Sequence, residues 1–176
     1  MTTTAAPVPA QAEFRQAMSR LGAAVNIITT DGPMGRHGIT ASAVCSVTDT
    51  PPTLLVCINR ASSAHDRVLG NGAFCVNVLA HDHADLALRF GRPGLSPEER
   101  FAEGSWTPLV TGAPALLGAA VALDCRVSTV TRAGTHSVIL GEVQALRLGE
   151  DGPAGLVYFN RDFHRLGVIP PSGPSA

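Results

Sequence analysis

The side chains best suited to chemistry crowd into one early third of the chain. Gly38-Ile39-Thr40-Ala41-Ser42-Ala43-Val44-Cys45-Ser46-Val47 is small and hydroxyl-bearing where a bulky strand would be expected. Small side chains let a flat ligand approach the backbone, and N–H and C=O groups exposed at such an edge can bond a ring that displays both acceptors and donors. The same composition also suits a half-buried edge strand whose hydroxyls bond neighbouring backbone. A Pro51-Pro52 turn and an apolar run through Thr53 then lead to Asn59-Arg60-Ala61-Ser62-Ser63-Ala64-His65-Asp66. There a strand ends and a short helix begins near Ser63, so hydroxyls and N–H groups converge as they do around a bound anion, with Arg60 or Arg67 adding charge. A plain N-cap at Ser62 or Ser63 explains the same residues.

Two later segments add candidates. Gly134-Thr135-His136 puts an imidazole just after a turn, at a strand rim, where it can hydrogen-bond a ligand amide or phosphate or simply meet solvent. Tyr158-Phe159-Asn160-Arg161-Asp162-Phe163-His164 alternates aromatics with a cation near the chain end. Such rings can cover a planar molecule, and Tyr158 and Phe159 equally suit the core of a last strand. Other chemistries lack their motifs: there is no Gly-x-Gly-x-x-Gly, phosphate-loop Lys or His-Glu-x-x-His, and no Gly-x-Ser-x-Gly elbow. His81 and His83, two apart near a helix start, read as solvated. Cys45, Cys57, Cys75 and Cys125 sit in apolar runs without a Cys-x-x-Cys pair and read as reduced, packed small hydrophobes.

The elements that must position these groups are mostly strands. Glu13 to Leu21 places Phe14, Ala17, Met18 and Leu21 on one helical face that can pack on a sheet, and Gly22 ends it. Ala23–Thr30, His37–Val47, Thr53–Asn59 and Ala73–Leu79 read as strands. Asp82 to Gly91 is helical, with Leu86 and Phe90 on one face, and Ser96-Pro97-Glu98-Glu99 opens a short helix with a capping box. Leu116–Thr131 and His136–Leu148 form a long hairpin across Arg132-Ala133-Gly134-Thr135, and Gly155–Phe159 is a last short strand. Short connections permit only antiparallel pairing, so the expected fold is a mainly β, antiparallel barrel with a few flanking helices.

Composition bounds the partners. The chain of 176 residues carries a net charge of −1 with 15% charged and 45% hydrophobic residues, which gives no electrostatic reason to expect nucleic acid or an anionic membrane. It suits instead heavy burial or an oligomer interface. One domain over residues 13–168 is expected, between Pro-, Ser-, Thr- and Ala-rich tails at 1–12 and 169–176. No secretory signal or apolar span of membrane length is visible, so a cytoplasmic protein is expected.

Taken in order from about Phe14 to Leu166, these segments resemble the flavin reductases that supply reduced flavin to two-component monooxygenases. The runs Leu21 to Pro33 and Thr40 to Pro52 are especially similar to the reductases of pyrimidine utilisation and of 4-hydroxyphenylacetate 3-monooxygenase. The resemblance implies an FMN-binding split β-barrel, antiparallel and Greek-key-like, usually homodimeric. By the same similarity Thr40, Ala41 and Ser42 contact the isoalloxazine, and Ser46, Asn59, Ser62 and Ser63 the ribityl chain and phosphate. Phe90 and Gly91 lie near the cofactor, His136 meets the nicotinamide, and Arg161 follows the last strand. Phe163 stands where relatives often carry Tyr. The implied reaction moves hydride from NADH or NADPH to FMN, with FAD as the alternative flavin. Left open are a split barrel that binds flavin or haem without reducing it, and a pyridoxamine-phosphate oxidase-like enzyme, for which thirteen Lys and Arg are few.

Overall fold

The fold is given by a computed structural model, which describes residues 8–149 and 154–167. The strands are β1 (Ala23–Ala24), β2 (Asn26–Thr30), β3 (His37–Ala41), β4 (Val44–Asp49), β5 (Pro52–Asn59), β6 (Ala73–Val78), β7 (Trp106–Pro108), β8 (Pro114–Leu116), β9 (Val121–Ala133), β10 (His136–Leu148), β11 (Gly155–Phe159) and β12 (Asp162–Leu166). The helices are α1 (Gln11–Met18), α2 (Ser63–Asn71), α3 (Ala84–Gly91) and α4 (Pro97–Arg100). The expected tails fall largely outside the described residues, although Gln11 and Ala12 already belong to α1.

Seven strands form one antiparallel sheet in the order β3-β2-β6-β9-β10-β5-β4. Its two outermost strands, β3 and β4, are consecutive in the chain and joined only by Ser42 and Ala43. Three peptide steps reach about 11 Å at most. The two edges of the sheet must therefore approach each other, and the sheet curls into a barrel that stays split where β3 gives way to β4. Ala43 accepts a bond from Cys57 N and Ser42 one from Val44 N, each 3.0 Å, which fixes the crossover.

Alternation along the strands builds two cores. Ile27 and Ile28 point to opposite faces of β2. Ile28 packs with Val56, Ile58, Phe74, Val76 and Ile139, whereas Ile27 packs with Leu79, Leu86, Phe90, Leu116 and Leu156. The second cluster seats α3 against Ile27 of β2. A small sheet of β1, β11 and β12 abuts it through Val25, which donates to Leu156 O and accepts from Leu79 N, each at 3.0 Å.

Several expectations need correction. The strand expected over Ala23–Thr30 is divided at Val25 between two sheets, and that over His37–Val47 is broken at Ser42–Ala43. β12 and the Pro-bearing pair β7 and β8 were not foreseen as strands. α1 forms but ends at Met18, short of Leu21, and no sheet among the described residues covers its apolar face: Phe14 and Met18 are 59% and 44% exposed, and Leu21 beyond the helix 63%. His81 and His83 are half-buried, each with a buried Nδ1 that has no hydrogen-bond partner among the described residues, because the start of α3 packs close to Gly118 and the last strands. Cys75 and Cys125 are fully buried and their thiols are pushed up, the latter to about 12, chiefly by desolvation. Cys45 is instead exposed on the β4 edge and Cys57 half-buried. The capping box is present, with Glu99 N donating to Ser96 Oγ (3.2 Å) and Ser96 N to Glu99 Oε2 (2.7 Å).

Candidate functional site

The split in the barrel is also where the sequence candidates meet. Thr40, Ala41, Ser42, Asn59, Ser62 and Ser63 line a groove of about 600 Å³, together with Gly91 and His136. Strand register accounts for the meeting of distant segments. β10 pairs with β5 so that His136 lies opposite Asn59, and Arg60 N donates to Thr135 O at 3.0 Å. Gly134, at φ 56°, supplies the left-handed turn residue that starts β10 at this rim. His136 is exposed, its Nδ1 2.9 Å from Thr135 Oγ1, and its Nε2 has no partner among the described residues.

One end of the groove is rich in donors. Asn59 Oδ1 accepts from Ala61 N (2.9 Å) and shapes the turn into α2. Ser62 is the N-cap, accepting from Ala64 N at 3.3 Å. Ser63, one residue on, keeps its hydroxyl for His37: Ser63 Oγ and His37 Nε2 are 2.7 Å apart. Burial, with the guanidinium groups of Arg67 and Arg100 adding to it, pushes His37 down to about 4, so the imidazole is neutral around neutral pH. Arg100 itself is only 5% exposed yet borders the groove. Its Nη1 and Nη2 donate to Phe90 O (2.7 Å) and Arg92 O (2.8 Å), and its Nε is buried without a partner. A buried cation with no carboxylate bonded to it among the described residues favours an anionic ligand.

A second compartment of about 570 Å³ continues past the shared wall of Thr40, Ala41, Ser42, Gly91 and Arg92. Here the lining turns apolar: Val25, Ala87, Leu88, Tyr158 and Phe163. Tyr158 and Phe163 face each other edge-on with centroids 5.6 Å apart. Thr40 Oγ1 donates to Ala87 O at 2.5 Å, tying β3 to α3 and holding the wall between the compartments.

Three candidates sit differently from the rest. Phe90 borders the groove, but its ring is 1% exposed and packed against Phe101 and Trp106 at 5.0 and 5.4 Å. Ser46, on β4 opposite Leu54 of β5, lies outside the groove because β4 runs away from the split once past Ala43. Arg161 caps the β11–β12 hairpin at φ 69°, in the left-handed region that favours glycine. It donates to Gln16 Oε1 at 3.0 Å beside a separate depression that reaches the apolar compartment only through Ser42 and Tyr158.

The groove thus offers a flat apolar slot, a strand edge of backbone donors and acceptors, and an anion-favouring end, which fits a phosphorylated planar heterocycle such as FMN. Residues 18–167 match the flavin reductase like domain. The chain belongs to this flavin reductase-like family. It is 56% identical over 155 residues to FMN reductase (NADH) RutF of Pantoea ananatis, covering 88% of this chain and 80% of that one. Two solved structures share the fold closely. The flavin reductase component BorF of a bacterial two-component tryptophan halogenase superposes with a TM-score of 0.84 at 28% identity, covering 91% of this chain and 100% of that one. A nitrilotriacetate monooxygenase component B homologue from Mycobacterium thermoresistibile gives 0.83 at 27% identity, covering 94% and 90%. The barrel is therefore the split barrel of flavin reductases, as its family resemblance implied. No helix among the described residues is long and apolar enough to cross a membrane, and no cluster of metal-ligating side chains occurs among them.

Proposed function

We propose that this reductase-family chain is an NADH-dependent FMN reductase that hands reduced flavin to a partner monooxygenase. The observation that carries the reading is the continuous groove at the barrel split, anion-favouring at Ser63 and Arg100 and apolar at Tyr158 and Phe163. NADH and FMN are named in the relative from Pantoea ananatis, and the monooxygenase in the M. thermoresistibile homologue. Flavin held in the groove would supply the ring nitrogen that takes up a hydride from the nicotinamide.

The protein's own part is positioning. The backbone from Thr40 to Ser42 bonds the polar rim of the ring, and Asn59, Ser62, Ser63 and Arg100 hold the ribityl phosphate end. His136 bonds the nicotinamide amide through its free Nε2, while Tyr158, Phe163 and Leu88 keep water from the reacting faces. No side chain need exchange a proton. An open groove lets reduced flavin leave. Residues 13–168 act as one domain, and the chain works as a homodimer. The exposed apolar face of α1 and the solvent-facing β4 edge, which carries Val47 at 48% exposure, support that assembly.

Steady-state NADH oxidation with FMN, FAD and riboflavin tests the proposal. Turnover that requires added flavin, fastest with FMN, is expected. Tight flavin binding without turnover with either NADH or NADPH would identify a carrier instead.

A further inference from the structure

Behind the groove, the contact between His37 and Ser63 has no role in the reading above. We propose that His37 is a positioning residue: its Nε2–H donates to Ser63 Oγ and so turns the serine proton into the groove, where it binds the phosphate monoester of a flavin. The inference rests on the groove being the flavin site and adds a residue that decides between phosphorylated and unphosphorylated flavin.

The tautomer follows from burial. His37 is 3% exposed, and its Nδ1 is buried with no hydrogen-bond partner among the described residues. A buried N–H without an acceptor is rarer and costlier than a buried lone pair, so the ring hydrogen sits on the other nitrogen. That nitrogen, Nε2, is 2.7 Å from Ser63 Oγ, and it must be the donor. A hydroxyl that accepts still has its own hydrogen to give. No acceptor for it occurs among the described residues, and Ser63 faces the groove. The opposite tautomer would turn the serine proton inward onto the ring and present only a lone pair to the ligand, which repels a phosphate oxygen.

The surroundings keep this arrangement in place. His37 opens β3 opposite Thr30, and the charges acting on it are the guanidinium groups of Arg67 and Arg100. Arg67 reaches the same turn through Nη1, which donates to Ser63 O at 3.0 Å. A positive charge on the ring is disfavoured beside two cations, so the imidazole stays a neutral donor. An anion at Ser63 is favoured by the same two cations.

Equilibrium binding of FMN and riboflavin to the wild-type protein, His37→Phe, Ser63→Ala, the double variant and His37→Gln tests this. His37→Phe and Ser63→Ala are each expected to weaken FMN about tenfold relative to riboflavin. The double variant should be no worse than either single one, and His37→Gln, which retains an amide donor, should recover most of the preference. Equal weakening of both ligands, or additive losses, would show a structural role and overturn the inference. If neither flavin binds the wild-type protein, the flavin-site reading itself fails. Imidazole nitrogen NMR on the folded wild-type protein needs no variant: an Nε2–H tautomer at His37 is expected, and an Nδ1–H tautomer would overturn the proposal even if every variant misfolds.

Discussion

Adding one methyl group at Gly38 should disturb both the core and the flavin groove. A Cβ there would lie 2.5 Å from Phe90 Cε1, 2.8 Å from Cδ1 and 3.3 Å from Ile28 O. Ordinary carbon contacts begin near 3.5 Å, so the ring would have to retreat by about 1 Å. Phe90 has nowhere to go, since Phe101 and Trp106 already stand at 5.0 and 5.4 Å on its other sides. The strain must pass into α3, whose last residue, Gly91, forms the wall shared by both compartments. Overpacking of this kind costs about 1–3 kcal/mol. Gly38→Ala is therefore expected to lose that much in urea unfolding followed by the single tryptophan, Trp106, which touches the displaced ring. Flavin affinity should fall about tenfold, because the wall shared by both compartments moves with Phe90. Gly155→Ala serves as a control, its added Cβ meeting Leu166 at an ordinary 3.7 Å. Unchanged stability and flavin affinity in Gly38→Ala, with the control behaving, would refute the claim that β3 and α3 are packed this tightly around the groove.

Other perturbations separate the parts of the site. His136→Ala should raise KM for NADH and slow flavin reduction while FMN affinity changes little; poor FMN binding with normal reduction once bound would reassign His136 to the flavin. Ser63→Asp sets a negative charge against the phosphate and should weaken FMN about tenfold to a hundredfold, with riboflavin much less affected in parallel titrations. Stability should carry the mark of His37. Its folded value of about 4 lies below the unfolded 6.5, so the unfolded chain takes up the proton first as pH falls. Stability is thus full above pH 6.5 and lost progressively down to about 4, by on the order of 2 kcal/mol after allowance for solvent screening. His37→Gln lacks this term, so the wild-type advantage in urea unfolding should shrink over that interval; a constant difference would contradict it.

Much of the site was legible in the sequence because it depends on local chemistry. The hydroxyl-bearing run at Thr40 to Ser42, the Asn59 turn with its Ser62 cap and the Gly134 turn before His136 each announce their geometry within a few residues. Their convergence does not: it follows from the sheet order, which brings β3 beside β4 and sets His136 opposite Asn59. The break at Ser42–Ala43 was hidden because small residues continue on both sides of it. Arg100 and His37 escaped notice because a charged residue in a capped helix and a histidine beside a turn both read as solvent-facing. They are buried for reasons that no local pattern records, the first to satisfy carbonyls at the end of α3 and the second to reach Ser63 across 26 residues. β12 shows only one half-buried residue, Phe163, among exposed ones, too little alternation to read as a strand. α1 erred the other way, its helical spacing being real while Phe14 and Met18 on its apolar face stay exposed.

The groove at the barrel split is proposed to bring nicotinamide and flavin together for direct hydride transfer. Anaerobic stopped-flow mixing of the FMN-loaded protein with NADH measures this step, with flavin absorbance as the readout and free FMN plus NADH as the blank. The bound flavin should bleach in a phase whose rate saturates with NADH and far exceeds the blank. Flavin that is demonstrably bound yet stays oxidised, with NADPH as well as NADH, would contradict the claim.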